Sequence, residues 1–169
     1  MDVTVRETSF AEGKLGHAVW TCGVGAATWC ALNAHRFEGR RVLELGAGVG
    51  LVGVVCGKAA NARVVMTDLD GQEDGPSGLV SNLRHNIDLN RIEATACRLD
   101  WHSDDLGERF DVVVASDCVY YPENVVPLAK TVQRHLEPEG VAYVFSAPPP
   151  GTFWRSSSVT RAASSSGGS

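Results

Sequence analysis

The chain has 169 residues, 44% hydrophobic and 21% charged, with 15 Lys plus Arg against 20 Asp plus Glu and a formal net charge of −5. That length supports one domain with one core, and mild acidity without runs of like charge argues against a nucleic-acid groove or an anionic membrane surface. No stretch reaches the ~20 apolar residues of a membrane helix, the amino terminus has no secretory pattern, and five scattered cysteines suit reduced thiols in a cytosolic or nuclear protein better than a disulfide framework.

Residues 3–7 alternate like a short strand. An Ala-rich stretch over 26–35 predicts a helix, with Trp29 as core, and Glu38-Gly39 closes it. Val42-Leu43-Glu44-Leu45 then runs into Gly46, Gly48 and Gly50 and a second helix over 51–58, followed by a β-branched strand over 62–67 that ends at Asp68. Leu79, Leu83 and Ile87 recur every fourth residue and predict a helix through Asn90 with a polar opposite face. A third strand over 95–99 ends in Asp100-Trp101, and a fourth over 111–115 ends in Ser116-Asp117. Pro122 opens a helix whose apolar positions keep helical period to Leu136, Pro138 and Gly140 stop it, and a fifth strand follows over 141–145. This alternation predicts an α/β fold, a doubly wound, mainly parallel sheet, over residues 1–147. The Pro-, Ser- and Gly-rich stretch 148–169 is expected to be a disordered tail.

The glycine cluster carries the first chemical signal. Glycines after an apolar strand let backbone approach a ligand more closely than any side chain permits. A dinucleotide fingerprint is G-x-G-x-x-G, whereas Gly46, Gly48 and Gly50 make E-x-G-x-G-x-G with Glu44 at the strand end. A nucleoside cofactor without phosphate, S-adenosylmethionine, fits better than NAD, and a plain tight turn is the alternative.

In a parallel α/β sheet, ligands bind beyond the carboxyl ends of the strands. Asp68 is placed to accept ribose hydroxyls, or else to cap a turn. Trp101 can cover an adenine ring, or else fill core. Ser116 and Asp117 end the fourth strand beside the switch point, and Asp117 and Tyr120, three apart in a turn, can face one small volume. Cys118 has no neighbouring base and reads as an inert thiol. The five histidines show no paired metal-ligand spacing, so no metal is expected, and exposed or capping roles are assigned to them.

Several of these residues occur together in a pattern that resembles a known family. Trp20 in Gly16-His17-Ala18-Val19-Trp20, the run 44–53, Thr67-Asp68, Asn86 with Asn90, Leu99-Asp100-Trp101 and above all Asp117-Cys118-Val119-Tyr120 resemble methyltransferase family 16, the seven-β-strand protein-lysine methyltransferases with a D/E-x-x-Y motif. The resemblance covers residues 4–146 and implies a class I, Rossmann-like fold and S-adenosylmethionine as cofactor. It implies that Gly46, Ala47 and Gly48 cup the methionine part of the cofactor, with Glu44 a weaker candidate for its amino group. Asp68 would hold the ribose, Trp101 the adenine, Trp20 and Ser116 would lie along the cofactor, and Asp117 and Tyr120 would shape a channel for the lysine of a protein substrate.

The implied reaction is displacement from sulfonium to the lysine ε-amine. Lysine is almost wholly protonated at neutral pH, with a reference pKa of ~10.4, and only the neutral amine can attack. A sulfonium and a desolvated channel lower that pKa while a carboxylate raises it, so Asp117 is assigned to binding and orientation and solvent takes the proton. Family members continue past the fifth strand with a helix and an antiparallel hairpin, strands six and seven, which this sequence lacks. An uncovered sheet edge, open to association, is therefore expected. A cofactor-binding chain without transfer activity, and a methyltransferase for small molecules, remain alternatives.

Overall fold

The computed structural model describes residues 1–8, 14–69, 78–146 and 159–161. Its strands are β1 (Arg41–Leu45), β2 (Arg63–Asp68), β3 (Ala94–Arg98), β4 (Phe110–Ser116), β5 (Leu136–Phe145) and β6 (Val159–Arg161), and its helices are α1 (Thr21–Leu32), α2 (Leu51–Ala60), α3 (Leu79–Asn90) and α4 (Val125–His135). The sheet order is β3-β2-β1-β4-β5-β6, with β1 to β5 parallel and β6 antiparallel. The predicted doubly wound sheet is therefore present, and its order reverses between the paired strands β1 and β4.

Strand periodicity divides the core. Val42, Val112 and Val114 point to the layer of α1, α2 and α3, while Leu43, Leu45, Val113 and Ala115 point to the layer that holds Leu128 of α4 and Trp101. Leu43, Leu45 and Val112 have no exposed surface, and each such side chain contributes about 1.5–3 kcal/mol by leaving water. Trp29 packs edge-on against Phe37 and Phe145 and tilted against Tyr143, as its core assignment requires.

The first helix starts at Thr21 rather than at residue 26, despite Gly23 and Gly25. Burial of Cys22, Ala26, Ala27 and Cys30 outweighs the weak helix propensity of two glycines, and the Asn33 side-chain amide donates to the Trp29 carbonyl at 2.9 Å to end it. The fifth strand starts at Leu136 rather than at residue 141: Leu136 is extended and pairs with Phe110, and after an irregularity Val141 pairs with Val112. Glu137 stands before Pro138, a position biased toward extended backbone.

Residues 3–7 join no sheet. Val3 and Val5 pack against the core, as alternation demands, but the intervening backbone is satisfied by asparagine side chains of α3 instead of by a neighbouring strand. The polar residues of α3 accordingly divide: Arg84, His85 and Asp88 face solvent, whereas Asn82, Asn86 and Asn90 are buried. His135 departs from expectation too. It is fully buried, its Nδ1 donates to the Thr131 carbonyl at 2.8 Å, and its Nε2 accepts the Leu106 N–H at 3.1 Å.

Most of the 148–169 stretch lies outside the described residues, but Val159–Arg161 form a strand where a disordered tail was expected. They pair antiparallel with Val141, Ala142 and Tyr143, so this length of the β5 edge is covered and does not offer the open edge expected for association. Unpaired N–H and C=O groups along β5 supply the physical reason for the pairing. Among the described residues no helix is long and apolar enough to cross a membrane.

Candidate active site

At the carboxyl ends of β1, β2 and β4 the chain opens a cleft of about 1050 Å³. Trp20, Gly46, Ala47, Gly48, Asp68, Trp101, Ser116, Asp117 and Tyr120 all line it. The strand-end argument therefore brings every site candidate into one space. This cleft is at the upper end of the usual range for ligand sites, which run to about 1,000 Å³, and can hold a nucleoside and an incoming side chain together.

The glycine turn is fixed by what surrounds it. Gly46, Gly48 and Gly50 have φ of 64°, 55° and 78°, a region L side chains avoid. A Cβ at Gly46 would stand 2.5 Å from the Cβ of Cys118, and one at Gly50 would stand 2.7 Å from Leu83. Side-chain carboxyls and backbone then lock the turn in place. Gly48 N–H donates to Asp68 Oδ2 at 2.7 Å, Gly53 N–H donates to Glu44 Oε2 at 3.0 Å, and Ala47 N–H donates to the Thr67 carbonyl at 2.9 Å.

Asp68 thus does what its turn-capping alternative describes: it accepts Gly48 N–H through Oδ2 and Leu69 N–H through Oδ1. Asp68 also lines the cleft, and a carboxylate offers about four lone-pair positions. Trp101 is half-buried, packs on the β4 side of the core, and its ring edge comes within 3.5 Å of where a Gly46 Cβ would be. Trp20 is 45% exposed at the start of α1, edge-on to His17.

On the opposite wall Asp117 has φ of 50° and donates its N–H to the Phe145 carbonyl at 2.9 Å. Non-glycine residues seldom hold this conformation, and Asp and Asn tolerate it best. Ser116 Oγ lies 3.8 Å from Cys22 Sγ. Burial pushes the Cys118 thiol up to about 12, with the carboxyls of Asp68, Asp117 and Glu44 adding to the effect, so it stays a neutral thiol and not a nucleophile. Burial also pushes the Tyr120 phenol up to about 12, reinforced by Cys118 and Asp117, which keeps it a neutral hydrogen-bonding group.

Glu44 carries a feature beyond sequence reasoning. It is 3% exposed, and desolvation, with Asp68 nearby, pushes its carboxyl up to about 8 against the Gly53 hydrogen bond, which pulls it down. Tyr121, Asn124 and His102 also reach the cleft, and His102 Nε2 lies 3.2 Å from Asn124 Oδ1. No motif flagged these three; only their nearness to a strand end could have done so.

Among the lining residues Asp68, Asp100 and Asp117 supply negative charge, Glu44 is a raised and mostly neutral carboxyl at pH 7, and only Arg98 and His102 can be cationic. Arg98 is itself bonded to Asp100 and Asp104. A phosphate-bearing ligand meets repulsion here. A cationic nucleoside without phosphate, and a cationic amine, meet attraction. Among the described residues no cluster of three or more His, Cys, Asp or Glu is arranged to hold a metal.

The chain is 33% identical over 126 residues to a calmodulin-lysine N-methyltransferase of Arabidopsis thaliana, an alignment covering 70% of this chain and 40% of that protein. It is 32% identical over 134 residues to a protein N-terminal and lysine N-methyltransferase of Cryptococcus neoformans, covering 72% of this chain and 43% of the relative. The chain thus spans less than half the length of these relatives. Among solved structures it superposes on the ribosomal protein L11 methylase of Lactobacillus delbrueckii with a TM-score of 0.59 at 20% identity, covering 75% of this chain and 61% of that one. It also superposes on a glycopeptide N-methyltransferase complexed with sinefungin with a TM-score of 0.58 at 22% identity, covering 74% and 54%. The fold is that of the class I methyltransferases. A family model described as lysine methyltransferase matches residues 2–147, and the chain belongs to that family.

Proposed function

We propose that this chain transfers a methyl group from S-adenosylmethionine to the ε-amine of a lysine in a protein. The observation that carries the reading is the shared cleft: the glycine turn of β1 and the Asp117-x-x-Tyr120 turn of β4 open onto one mainly apolar space whose charged groups are mostly acidic. Its relatives are named for the same chemistry on protein substrates.

The residues present fit the cofactor. The left-handed glycines let bare backbone line the cleft with no side chain of its own in the way, and no free basic group awaits a phosphate among the lining residues. Gly46, Ala47 and Gly48 offer backbone to the amino-acid part, the carboxyl of Asp68 at the cleft suits ribose hydroxyls, and the indole of Trp101 suits the adenine, with Trp20 and Ser116 along the walls. Bound there, S-adenosylmethionine supplies an electrophilic methyl on a cationic sulfonium.

Asp117 attracts the protonated lysine and orients its nitrogen; a carboxylate beside the amine favours the charged form, so it is not the general base. Tyr120, neutral throughout the working pH range, fixes the amine by hydrogen bond or ring face. Desolvation in the channel favours loss of the amine proton, and water at the half-exposed Tyr120 mouth takes it up. Alignment supplies the larger part of the rate gain. The mostly buried free thiols support a reducing compartment, cytosol or nucleus.

The test is paired. Titration calorimetry with S-adenosylhomocysteine measures the cofactor site, and transfer of labelled methyl groups into a cell lysate, read by mass spectrometry, measures reaction and substrate. Saturable binding with label on lysine is the expected result. Binding without transfer would replace it with a cofactor-binding regulatory role, and label on small molecules alone would overturn the protein substrate.

A further inference from the structure

Residues 4 and 6 of the amino-terminal segment are fastened to α3 by a ladder of buried amides. Thr4 N–H donates to Asn90 Oδ1 at 3.2 Å, and Asn90 Nδ2 returns a bond to the Thr4 carbonyl at 2.6 Å. Two residues on, Arg6 N–H donates to Asn86 Oδ1 at 2.7 Å, and both Asn86 Nδ2 and Asn82 Nδ2 donate to the Arg6 carbonyl. The Arg6 guanidinium also donates, through Nε, to Asn82 Oδ1 at 2.7 Å. The spacings agree: two residues of extended chain rise ~6.7 Å and four residues of helix rise ~6.0 Å, so Asn90 meets Thr4 and Asn86 meets Arg6, with Asn82 closing on Arg6 from the next turn.

Asn86 does one thing more. Its Nδ2 donates at 2.8 Å to the carbonyl of Val49, inside the glycine turn between Gly48 and Gly50. The same strap continues to the other side of the cleft: Thr8 N–H donates to the His17 carbonyl at 2.9 Å, and Glu7 Oε1 accepts Val19 N–H at 2.7 Å, beside Trp20. Gly16 in turn lies against the turn, with its carbonyl 3.3 Å from where a Gly48 Cβ would be. The strap therefore touches both the floor and one wall of the cleft, and a fully buried amide joins it to the floor.

From this geometry we infer that Asn86 is a positioning residue that couples docking of the 3–8 strap to the shape of the glycine turn, so that strap order and cofactor binding reinforce each other. Coupling of this kind is reciprocal: a ligand that needs the ordered turn must also tighten the strap. The inference rests on the cofactor reading given above.

Arg6→Pro tests it while keeping the Asn86 side chain and its bond to Val49, because proline removes the N–H that Asn86 accepts, whereas Arg6→Ala keeps that N–H and loses only the guanidinium. With S-adenosylhomocysteine as probe, Arg6→Pro is expected to weaken Kd about tenfold relative to Arg6→Ala. Because Arg6→Pro also leaves a buried oxygen without its donor, the two affinities are compared at a temperature where the ligand-free unfolding curves show both variants fully folded. In the wild-type chain, S-adenosylhomocysteine should slow amide exchange at Thr4 and Thr8, and Arg6→Pro should abolish that slowing. Asn86→Asp, which retains an acceptor for Arg6 N–H but loses the donor to both the Val49 and Arg6 carbonyls, should weaken binding, while Thr4 stays held by Asn90. Equal affinity in Arg6→Pro and Arg6→Ala, or exchange at Thr4 and Thr8 indifferent to ligand, would overturn the coupling. A wild-type chain that binds no S-adenosylhomocysteine would remove the cofactor reading and the coupling with it, while ladder protection of Thr4 would still be measurable without ligand.

Discussion

The cleft wall formed by residues 44–53 is backbone locked by buried groups, whereas the wall formed by residues 117–124 presents exposed side chains on a turn held at few points. On the first wall Asp68, Glu44, Thr67 and Asn86 each accept from or donate to the turn. On the second, Asp117 N–H meets Phe145 and Asn124 N–H meets the Tyr121 carbonyl, while Val119, Tyr120 and Tyr121 are 38%, 48% and 55% exposed. A wall made of backbone recognises an invariant ligand, because main chain varies little with sequence. A wall of protruding side chains recognises a ligand that itself differs from one protein to the next, and its apolar groups gain area only when a partner covers them. The division suits the proposed roles, a constant cofactor on the first wall and a protein substrate on the second.

Measured on folded stability, the sharpest way to break the first wall is Gly46→Ala. The new methyl group adopts a φ of 64° that costs roughly 1–2 kcal/mol and collides at 2.5 Å with a Cβ, which cannot rotate away. Together with overpacking, a loss of about 3–5 kcal/mol in urea denaturation is expected. S-adenosylhomocysteine binding should be lost as well. Because the colliding atom is the Cβ of Cys118, Cys118→Gly should restore part of the stability and Cys118→Ala none. Rescue by Cys118→Ala would show that the sulfur, 3.4 Å away, sets the conflict.

Next in size is the proton on Glu44. Its folded carboxyl is raised to about 8 from an ordinary 4.5, so the neutral form suits the folded state. The contribution is then fully present below pH 4.5 and is lost as pH rises through about 8, when the folded chain must bury a charge that the unfolded chain leaves in water. Glu44→Gln keeps an acceptor for Gly53 N–H and carries no proton to lose. The stability difference between wild type and Glu44→Gln, measured by denaturation at pH 5 and at pH 8.5, should shift by on the order of 4 kcal/mol in favour of the variant at the higher pH. A constant difference would mean that Glu44 is as well solvated as an ordinary carboxyl.

The sequence exposes these walls unequally. Gly46, Gly48 and Gly50 are legible because positive φ and close approach leave no other residue, and Asp68, Trp101 and Asp117 because strand ends are where a parallel sheet meets its ligand. Asn82, Asn86 and Asn90 are not: amides at helical spacing look the same whether water or a strap from 76 to 86 residues away satisfies them. The strand expected at 3–7 fails for that reason, since Val3 and Val5 alternate correctly while the partner of their backbone is a helix face. Glu44 reads as a strand-end acid in sequence, and only burial makes it a proton carrier. The helix beginning at Thr21 hides behind two glycines because its stability comes from packing on α2 and not from propensity.

The smallest effect on stability, and the most informative about the second wall, belongs to Asp117. Its φ of 50° and its carboxylate are separable demands. Asparagine tolerates that backbone as well as aspartate does, so Asp117→Asn should leave the unfolding midpoint nearly unchanged, whereas Asp117→Ala should cost about 1 kcal/mol through strain alone. Both remove the negative charge that faces the incoming amine. If the carboxylate orients lysine, both variants should lose methyl transfer while binding S-adenosylhomocysteine close to the wild-type affinity, and the loss should not track stability. Should Asp117→Asn transfer methyl groups normally while Asp117→Ala does not, the residue would be there for its backbone, and recognition of the amine would fall to Tyr120. Loss of cofactor binding together with transfer in both would erase the division between the walls.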